Sequence, residues 1–342
     1  MVTRENVMRE PDFERFCKAL LLLGEPDVVP NAELWVDRKL ECAILGRLVE
    51  SIEDEVEFWR VAGYDYAHIV PIYEFPKERK DLGGISWVSS TKGVITNKKE
   101  FEKYNWPEEI DFTPLDRAAR ALEGKQRLVS GSLCGIFEET SFIMGFETLC
   151  VSLLENRELV RRVVDKVGSF ILGLVEEVSR YEEVGAIWLS DDIAYKGGTL
   201  ISPKDLRELI FPWYKRIGNI AKRHNLPFMY HSDGKLWSVL DDLIDCGVNA
   251  IHPLEPLSMD ATQLKKEYGD KLCLVGNVDL DYPLTRGTPD EVRKTVKERI
   301  KKLAPGGGYC CGSSNTIASY VPVENYIALL EATDEYGGYP IR

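Results

Sequence analysis

The 342-residue sequence contains no long apolar run and few residues arranged to cross-link it. No apolar stretch approaches the roughly 20 residues that a membrane-spanning helix needs, and the first residues lack the apolar core of a signal peptide. The eight cysteines include no C-x-x-C pair, which disfavours a zinc ribbon or a redox motif. We therefore expect a soluble, cytoplasmic protein with reduced, buried thiols and no membrane contact.

Positive charge is also scarce, since 43 Lys and Arg face 56 Asp and Glu and the formal net charge is −13. Nucleic-acid binding depends on basic side chains that neutralise phosphates, so this balance argues against a nucleic-acid partner. Phosphate-loop, G-x-G-x-x-G and G-x-S-x-G motifs are absent as well. The sequence thereby disfavours a nicotinamide cofactor and a simple serine-hydrolase mechanism.

The sequence does contain a regular alternation of short apolar runs and longer amphipathic stretches. This alternation predicts parallel strands joined by crossover helices. Eight such units favour a (β/α)8 TIM barrel of class α/β that forms a single domain over residues 1–342, with a doubly wound open sheet as the alternative. The predicted strands are 27–34, 64–71, 127–131, 186–190, 227–230, 250–253, 272–276 and 308–311.

The segment 73–122 does not follow this rhythm. It contains a Gly-Gly pair, three prolines and mixed charges, and we interpret it as a long insertion after the second strand, with a hairpin across residues 86–94. Long excursions at the carboxyl ends of barrel strands often cover the substrate, although a plain surface elaboration is an equal alternative.

Polar residues directly follow the later strands, where a (β/α) barrel builds its active site. His231 comes after the fifth strand and stands two residues before Asp233, so both side chains fall on one side of an extended chain. Such a pair can bind a divalent metal or act as base and orienter in proton transfer, and a buried histidine with one backbone partner is the structural alternative. Of Asp191 and Asp192, we expect Asp192 to point into the site, unless it only caps a turn.

Further polar residues complete the candidate site. Glu255 lies between two prolines that would aim it, and Asn277 lies in a polar turn. His252 lies within a strand, where packing is its more typical role. We predict that His231, Asp192 and Glu255 are catalytic, that Asp233, Asn277, Asn315 and Tyr230 bind substrate, and that His231 and Asp233 are the metal ligands.

These segments, in this order, resemble the uroporphyrinogen decarboxylase superfamily, which includes decarboxylases and corrinoid-dependent methyltransferases. The resemblance covers nearly the whole chain and implies a (β/α)8 barrel, in agreement with the strand count. It rests on residues 230–234 (YHSDG), 253–256 (PLEP), 276–279 (GNVD) and 308–317, and near the start on 4–7 and 26–30.

Because members of the superfamily catalyse different reactions, individual residues must indicate which branch the chain resembles. The arginine-bearing motif by which true uroporphyrinogen decarboxylases hold their substrate's carboxylates is absent from residues 30–38. Family members that methylate thiols hold zinc with a His-x-Cys pair and a later Cys. Here His231 matches the histidine, Asp233 replaces the first cysteine and Asn315 aligns with the later one, with Cys310 or Cys311 in an alternative register. A harder N/O site would instead suit Lewis-acid activation of an ether or amine.

The resemblance therefore implies transfer of a methyl group from a small methylated donor, such as an aryl methyl ether, to the cobalt of a cobalamin that a corrinoid partner protein carries. Zinc is the candidate metal. A decarboxylase of a small acid and a non-enzymatic corrinoid-docking module stay open as alternatives. An aryl pocket could be lined by Trp87, Phe137, Phe142, Tyr195 and Tyr230, although each of these singly is more typical of a core residue.

Overall fold

The computed structural model of the chain describes residues 9–82, 85–89, 91 and 93–341, so the 4–7 segment of the family resemblance lies outside the described residues. Its strands are β1 (Tyr66–His68), β2 (Arg79–Leu82), β3 (Ile85–Val88), β4 (Arg127–Ser132), β5 (Val184–Ser190), β6 (Ala194–Tyr195), β7 (Gly198–Thr199), β8 (Phe228–His231), β9 (Ala250–His252), β10 (Cys273–Val278) and β11 (Tyr309–Ser313).

The helices are α1 (Phe13–Leu20), α2 (Arg38–Leu45), α3 (Ile52–Val61), α4 (Lys98–Lys103), α5 (Thr113–Ala121), α6 (Ile136–Met144), α7 (Phe146–Glu155), α8 (Arg157–Val178), α9 (Pro203–Asp205), α10 (Phe211–Arg223), α11 (Leu240–Asp245), α12 (Ala261–Tyr268), α13 (Pro289–Leu303) and α14 (Val323–Tyr336). A π-helical turn, Leu206–Ile210, joins α9 to α10. Within the described part of the chain, no helix is long and apolar enough to span a bilayer.

Seven strands form one curled parallel sheet in the order β1-β4-β5-β8-β9-β10-β11. Helices connect consecutive strands, as parallel pairing requires. Every residue of β5 is buried, which explains why this strand is an unbroken apolar run in the sequence. Two helix starts carry capping side chains: Ser202 caps α9, and Thr288 forms a capping box with Glu291 at α13. The α/β parallel architecture is therefore confirmed.

The first predicted strand, 27–34, is not a regular strand. It pairs with β11 only through an isolated bridge between Asn31 and Cys311. On its other side, the backbone of Glu33 exchanges hydrogen bonds with the hydroxyl of Tyr66 in β1. Pro30 within the segment has no N–H to donate to a ladder. The sheet thus has seven regular strands where eight were predicted, and an irregular extended segment lies between its two edges.

The segment 73–122 is only partly an insertion. Its hairpin is formed by β2 and β3, which pair antiparallel from Arg79 with Val88, and so lies earlier than the predicted 86–94; residues 90 and 92 of that prediction lie outside the described part. Its last helix, α5, is the crossover from β1 to β4. Pro114 in the first turn of α5 is the same signal that marks α9 and α13.

Glu33 is a fully buried carboxyl group that secures the end of β11. Its oxygens accept hydrogen bonds from the backbone N–H and from the hydroxyl of Ser313, each at 2.6 Å. Burial raises the pKa of Glu33 to about 8, and the two bonds to Ser313 only partly offset this effect. Glu33 is therefore protonated in the folded chain at neutral pH.

We expect the Glu33→Gln substitution to flatten the pH dependence of stability. The folded-state pKa lies above the unfolded value, so the folded chain binds the proton more tightly and loses stability as the pH rises through this interval. Between about pH 5 and 7 the wild type should lose up to ~3 kcal/mol relative to the variant. Urea unfolding of both proteins across this range measures the difference, and parallel curves would contradict the assignment.

Candidate functional site

The candidate site lies at the carboxyl ends of β5, β8, β9 and β11. The register places Ser190 of β5 beside His231 of β8, and His231 beside His252 of β9. The loops that follow these strands therefore begin side by side. This position is the end of the sheet at which parallel α/β proteins place their active sites.

His231, Asp192 and Asp233 converge at this end. The Nε2 atom of His231 lies 3.6 Å from Oδ1 of Asp192 and 3.8 Å from Oδ1 of Asp233. One donor atom from each residue falls within 4.8 Å of the others. These separations exceed hydrogen-bond lengths. Ligands held about 2.0–2.2 Å from a tetrahedral zinc ion stand roughly 3.4 Å apart, so the cluster matches the spacing of one nitrogen and two oxygen donors around a small cation.

The side chains of the two adjacent aspartates contact different partners. Asp191 is fully buried and accepts hydrogen bonds from the backbone N–H groups of Phe137 and Glu138 at 2.9 and 2.8 Å and from the hydroxyl of Tyr214 at 2.6 Å. It therefore holds the first turn of α6. Asp192 points into the cluster instead, where its Oδ1 accepts from the backbone N–H of Asp233 at 2.8 Å.

Neighbouring groups fix the orientation of Asp233 and of its turn. The amide of Asn315 donates to both carboxyl oxygens of Asp233, at 2.9 and 2.8 Å. Glu255 accepts from the backbone N–H of Gly234 at 2.7 Å and from the hydroxyl of Ser258 at 3.1 Å. Gly234 has a φ of +88°, and a Cβ there would lie 2.4 Å from backbone. The turn therefore requires glycine.

The site concentrates carboxyl groups without a balancing cation. Burial first, and then the charges of Asp192 and Glu255, raise the pKa of Asp233 to about 7, against the effect of Asn315. Among the described residues, no lysine or arginine forms an ion pair with any of these three carboxyl groups. Burial also lowers the pKa of His231. A neutral imidazole among carboxylates is the form of histidine that binds a metal cation.

Glu138 is a site residue that sequence reasoning missed. It lies in the first turn of α6, and its carboxyl accepts a hydrogen bond from the backbone N–H of Asp192. Burial, followed by the charges of Asp192 and Asp191, raises its pKa to about 9. A Cβ on Gly135, just before α6, would lie 2.3 Å from Cβ of Asp191, so glycine permits this close approach. The available signal was a carboxyl group shortly after the third predicted strand.

Tyr230 lies away from the cluster. It is fully buried, and its hydroxyl donates to the backbone carbonyl of Asp191 at 2.7 Å and lies 3.4 Å from the hydroxyl of Tyr214 in α10. Side chains alternate along a strand, so Tyr230 and His231 of β8 face opposite sides. The predicted contact between Tyr230 and substrate is therefore not supported by its position.

The other aromatic candidates lie in different surroundings. Phe137 is buried in the core, whereas Tyr195 is 53% exposed on the hairpin of β6 and β7. Phe142 lies 5.2 Å from the ammonium of Lys77, in a cation–π contact. The side chain of Trp87 lies outside the described residues.

Asn277 and the late cysteines lie deeper in the sheet. The Asn277 amide donates to the backbone carbonyl of Leu254 at 2.6 Å and so braces the loop that carries Glu255. Cys310 and Cys311 are buried within β11, and the sulfur of Cys310 lies 3.9 Å from that of Cys273. Asn315 therefore lies beside Asp233, and neither Cys310 nor Cys311 does.

A cavity of 430 Å³ opens beside the cluster, with Glu255 and Asn315 in its wall together with Leu257, Asp279 and Tyr320. This volume is within the range of small-molecule sites. A larger crevice of 830 Å³ lies at the amino ends of the strands, away from the cluster. The 430 Å³ cavity is the candidate substrate cavity, because it lies beside the cluster of His231, Asp192 and Asp233.

A parallel α/β sheet with a His-Asp-Asp cluster at its carboxyl edge is compatible with several activities and does not by itself define one. Comparison with known protein families identifies the family of the chain. The profile of the uroporphyrinogen decarboxylase (URO-D) family matches residues 89–336, and the chain belongs to this family. The family resemblance predicted from the sequence is thereby confirmed.

The chain is similar to several characterised family members. It is 32% identical over 160 residues to methylcobamide:CoM methyltransferase MtaA of Methanosarcina barkeri, a match that covers 45% of this chain and 43% of MtaA. It is 22% identical over 293 residues to a methylated-thiol–coenzyme M methyltransferase of Methanosarcina mazei, covering 81% and 74%. The chain thus matches less than half the length of MtaA but about three quarters of the second relative.

The chain is also similar to a uroporphyrinogen decarboxylase and to a solved methyltransferase structure. The uroporphyrinogen decarboxylase of Chlorobaculum tepidum is 22% identical over 148 residues, 43% of this chain and 38% of that enzyme. Among solved structures, a methyltransferase from Methanosarcina mazei superposes with a TM-score of 0.71 at 17% identity and covers 96% of this chain and 99% of that one. At this level of identity the superposition shows a shared fold.

Proposed function

We propose that this chain is a corrinoid-dependent methyltransferase that moves a methyl group from a small methylated donor to the cobalt of a corrinoid protein. The proposal is supported chiefly by the convergence of His231, Asp192 and Asp233 at the carboxyl edge of the sheet. It is further supported by its relatives, two of which are methyltransferases that act with coenzyme M.

The cluster fits a divalent cation, for which zinc is our first candidate. His231, Asp192 and Asp233 would hold it through one nitrogen and two oxygens. A cation bound there would act as a Lewis acid on the heteroatom that loses its methyl group. The absence of thiolate ligands favours a harder site, which is suited to an ether oxygen or an amine nitrogen rather than to a thiol.

Asn315 and Glu255 orient the residues that would bind the cation, and Glu138 can supply a proton. Asn315 orients Asp233, and Glu255 holds the turn that carries it, so the ligand atoms need little rearrangement when substrate arrives. Glu138 lies beside Asp192 and, with a pKa of about 9, holds a proton at neutral pH. This carboxyl group can protonate a heteroatom that leaves without its methyl group.

The proposed donor is a small methyl ether or methylamine, with an aryl methyl ether as the first candidate. The 430 Å³ cavity has room for a compound of this size, and Tyr320 supplies one aromatic wall. Without a bound cation, Asp192, Asp233 and Glu255 would repel a carboxylate-bearing substrate, since no lysine or arginine among the described residues forms an ion pair with them.

The test combines the zinc-loaded protein with a reduced cobalamin-binding protein and a panel of methyl ethers and methylamines. We expect methyl-cobalt to form with at least one donor, as followed by absorbance. The Asp192→Asn substitution should lower the rate about 100-fold, because it weakens the binding of the cation. Asp245→Asn, at the exposed end of α11, is the matched control and should leave the rate unchanged.

Two outcomes would contradict the proposed function. One is the absence of methyl-cobalt with every donor, together with release of carbon dioxide from a small acid, which would favour the decarboxylase. The other is full activity in Asp192→Asn, which would remove this residue from the site.

A further inference from the structure

The three donors of the His-Asp-Asp cluster come from two short segments that lie side by side. We call residues 191–193, which follow β5, the β5 loop, and residues 230–233, at the end of β8, the β8 turn. The β5 loop carries Asp192, and the β8 turn carries His231 and Asp233. The spacing of the donors therefore depends on how firmly these two segments are joined.

Tyr230 holds the backbone just before Asp192. Its hydroxyl donates at 2.7 Å to the carbonyl of Asp191, which belongs to the peptide group that joins Asp191 to Asp192. The N–H of Asp191 donates to the carbonyl of His231 at 2.9 Å and so extends the pairing of β5 with β8 by one residue. Tyr230 is fully buried, so water does not compete for its bond. Both backbone groups of Asp191 are thus tied to the β8 turn.

Ser232 holds the backbone just after Asp192. Its hydroxyl oxygen accepts from the N–H of Ile193 at 3.1 Å, and the same hydroxyl donates to the carbonyl of Asp233 at 3.0 Å. One buried hydroxyl thus bridges the two segments. Between these anchored points, the carboxylate of Asp192 accepts from the N–H of Asp233 at 2.8 Å. Asp192 is therefore held by bonds before it, after it and on its side chain.

Cluster donors and backbone anchors alternate along the β8 turn. His231 and Asp233 direct their side chains to the cluster, whereas Tyr230 and Ser232 bond the backbone on either side of Asp192. This division agrees with the alternation of side chains along an extended chain. Buried backbone groups need partners in any fold. Here, however, every partner group belongs to a residue that carries a cluster donor or adjoins one, so these bonds also set the spacing of the donors.

We propose that Tyr230 and Ser232 are positioning residues of the candidate metal site, which hold the carboxylate of Asp192 at the distance from His231 that a small cation requires. They contribute no donor atom to the cluster and act through the backbone of the β5 loop. Tyr230 was predicted to bind substrate, and this role replaces that prediction. The effect on metal affinity rests on the proposed function, whereas the link between the two segments can be measured without metal.

The first test follows amide hydrogen exchange by NMR in the metal-free protein. Tyr230→Phe deletes only the hydroxyl that holds the carbonyl of Asp191. We expect Asp192 to gain freedom, so that the N–H of Asp233, which donates to its carboxylate, exchanges about 10-fold faster or more. The hydroxyl of Tyr230 bonds to Asp191 rather than to Asp233, so a purely local effect would leave this amide unchanged.

Tyr64→Phe is the matched control for this test. Tyr64 is also fully buried, and its hydroxyl lies 2.9 Å from that of Tyr326, outside the β5 loop and the β8 turn. Both variants lose one buried hydroxyl bond and should lose similar stability. In Tyr64→Phe the exchange rate of the Asp233 amide should stay within about 2-fold of the wild type. An unchanged rate in Tyr230→Phe as well would overturn the role of Tyr230.

The second test measures zinc affinity by competition with a chromophoric chelator. Tyr230→Phe and Ser232→Ala should each weaken zinc binding about 10-fold, because the third donor is no longer held in place. Ser313→Ala removes a buried hydroxyl that bonds to Glu33 instead, and its affinity should stay within about 3-fold of the wild type. At saturating cobalt(II), the visible ligand-field spectrum reports the geometry of the bound ion. We expect it to change in the first two variants and not in Ser313→Ala.

The two proposals fail in different ways. Wild-type zinc affinity and wild-type cobalt(II) spectra in both Tyr230→Phe and Ser232→Ala would contradict the positioning role and leave the metal site standing. A wild type that binds no zinc would contradict the metal site, and amide exchange would still decide whether the two segments are linked as proposed. If Ser232→Ala does not fold, Tyr230→Phe, which keeps the buried ring, provides the decision.

Discussion

Replacing His231 by alanine is expected to abolish zinc binding and to lower methyl transfer by about 10³-fold. His231 supplies the only nitrogen of the cluster, and its Nε2 faces both Asp192 and Asp233. Without it, two carboxylates alone would have to hold the cation, and they would do so against their mutual repulsion. Elemental analysis and the methyl-cobalt assay, carried out on the same preparation, measure both effects.

His224→Ala is the matched control for this substitution. His224 follows α10 and lines the crevice at the amino ends of the strands, at the opposite end of the sheet from the cluster, where its Nε2 lies 3.9 Å from Glu176. We expect its zinc content and activity to equal those of the wild type. Equal zinc occupancy in His231→Ala and the wild type would remove His231 from the ligand set.

Replacing Asp191 by alanine is expected to destabilise the fold by about 4–5 kcal/mol. The substitution leaves three buried donors without an acceptor: the backbone N–H groups of Phe137 and Glu138 and the hydroxyl of Tyr214. Each of these losses costs on the order of 1–3 kcal/mol. Urea unfolding at neutral pH measures the free energy of unfolding directly.

Asp192→Ala is the control for this prediction, because Asp192 is the next residue in the sequence. Asp192→Ala removes a carboxyl group that is about one third exposed and lies among other carboxyls, so its stability should change by less than about 1 kcal/mol. Asp191→Ala should therefore unfold easily, whereas Asp192→Ala should stay folded but lose zinc. Similar stabilities for the two variants would contradict the division of roles between these adjacent aspartates.

Local sequence patterns pointed to the main residues of the candidate site. Parallel strands are apolar on both faces, so the polar residues at their ends, including His231, Asp192 and Asp233, stand out in the sequence. Asn315 follows the last predicted strand, the family resemblance aligned it with a zinc-binding cysteine, and its amide donates to Asp233. The structure places Asp192 in the cluster and directs Asp191 to the first turn of α6.

Features that depend on register between strands were not predictable in this way. The contact between His231 and His252 exists because β8 and β9 pair with these two residues side by side. The approach of Glu138 to Asp192 depends on the angle at which α6 leaves β4, which no periodicity specifies. Tyr230 was predicted to contact substrate, and the alternation along β8 places its side chain on the side opposite to that of His231.

The irregular structure of the segment 27–34 was not predicted, for a related reason. The segment 27–34 is apolar and short, as a strand should be, yet it forms only one bridge to β11. It is held by backbone bonds of Val29 and Ala32 and by the bonds that join Glu33 to Ser313 and Tyr66. Such bonds depend on tertiary packing and leave no periodic signal in the sequence.

The central claim is that His231, Asp192 and Asp233 hold a divalent cation through nitrogen and oxygen alone. X-ray absorption at the zinc edge of the zinc-loaded protein tests it most directly. We predict a first shell of nitrogen and oxygen at about 2.0–2.2 Å with no sulfur contribution. A sulfur shell near 2.3 Å would contradict the claim, because it would place a cysteine where the structure has Asp233 and Asn315.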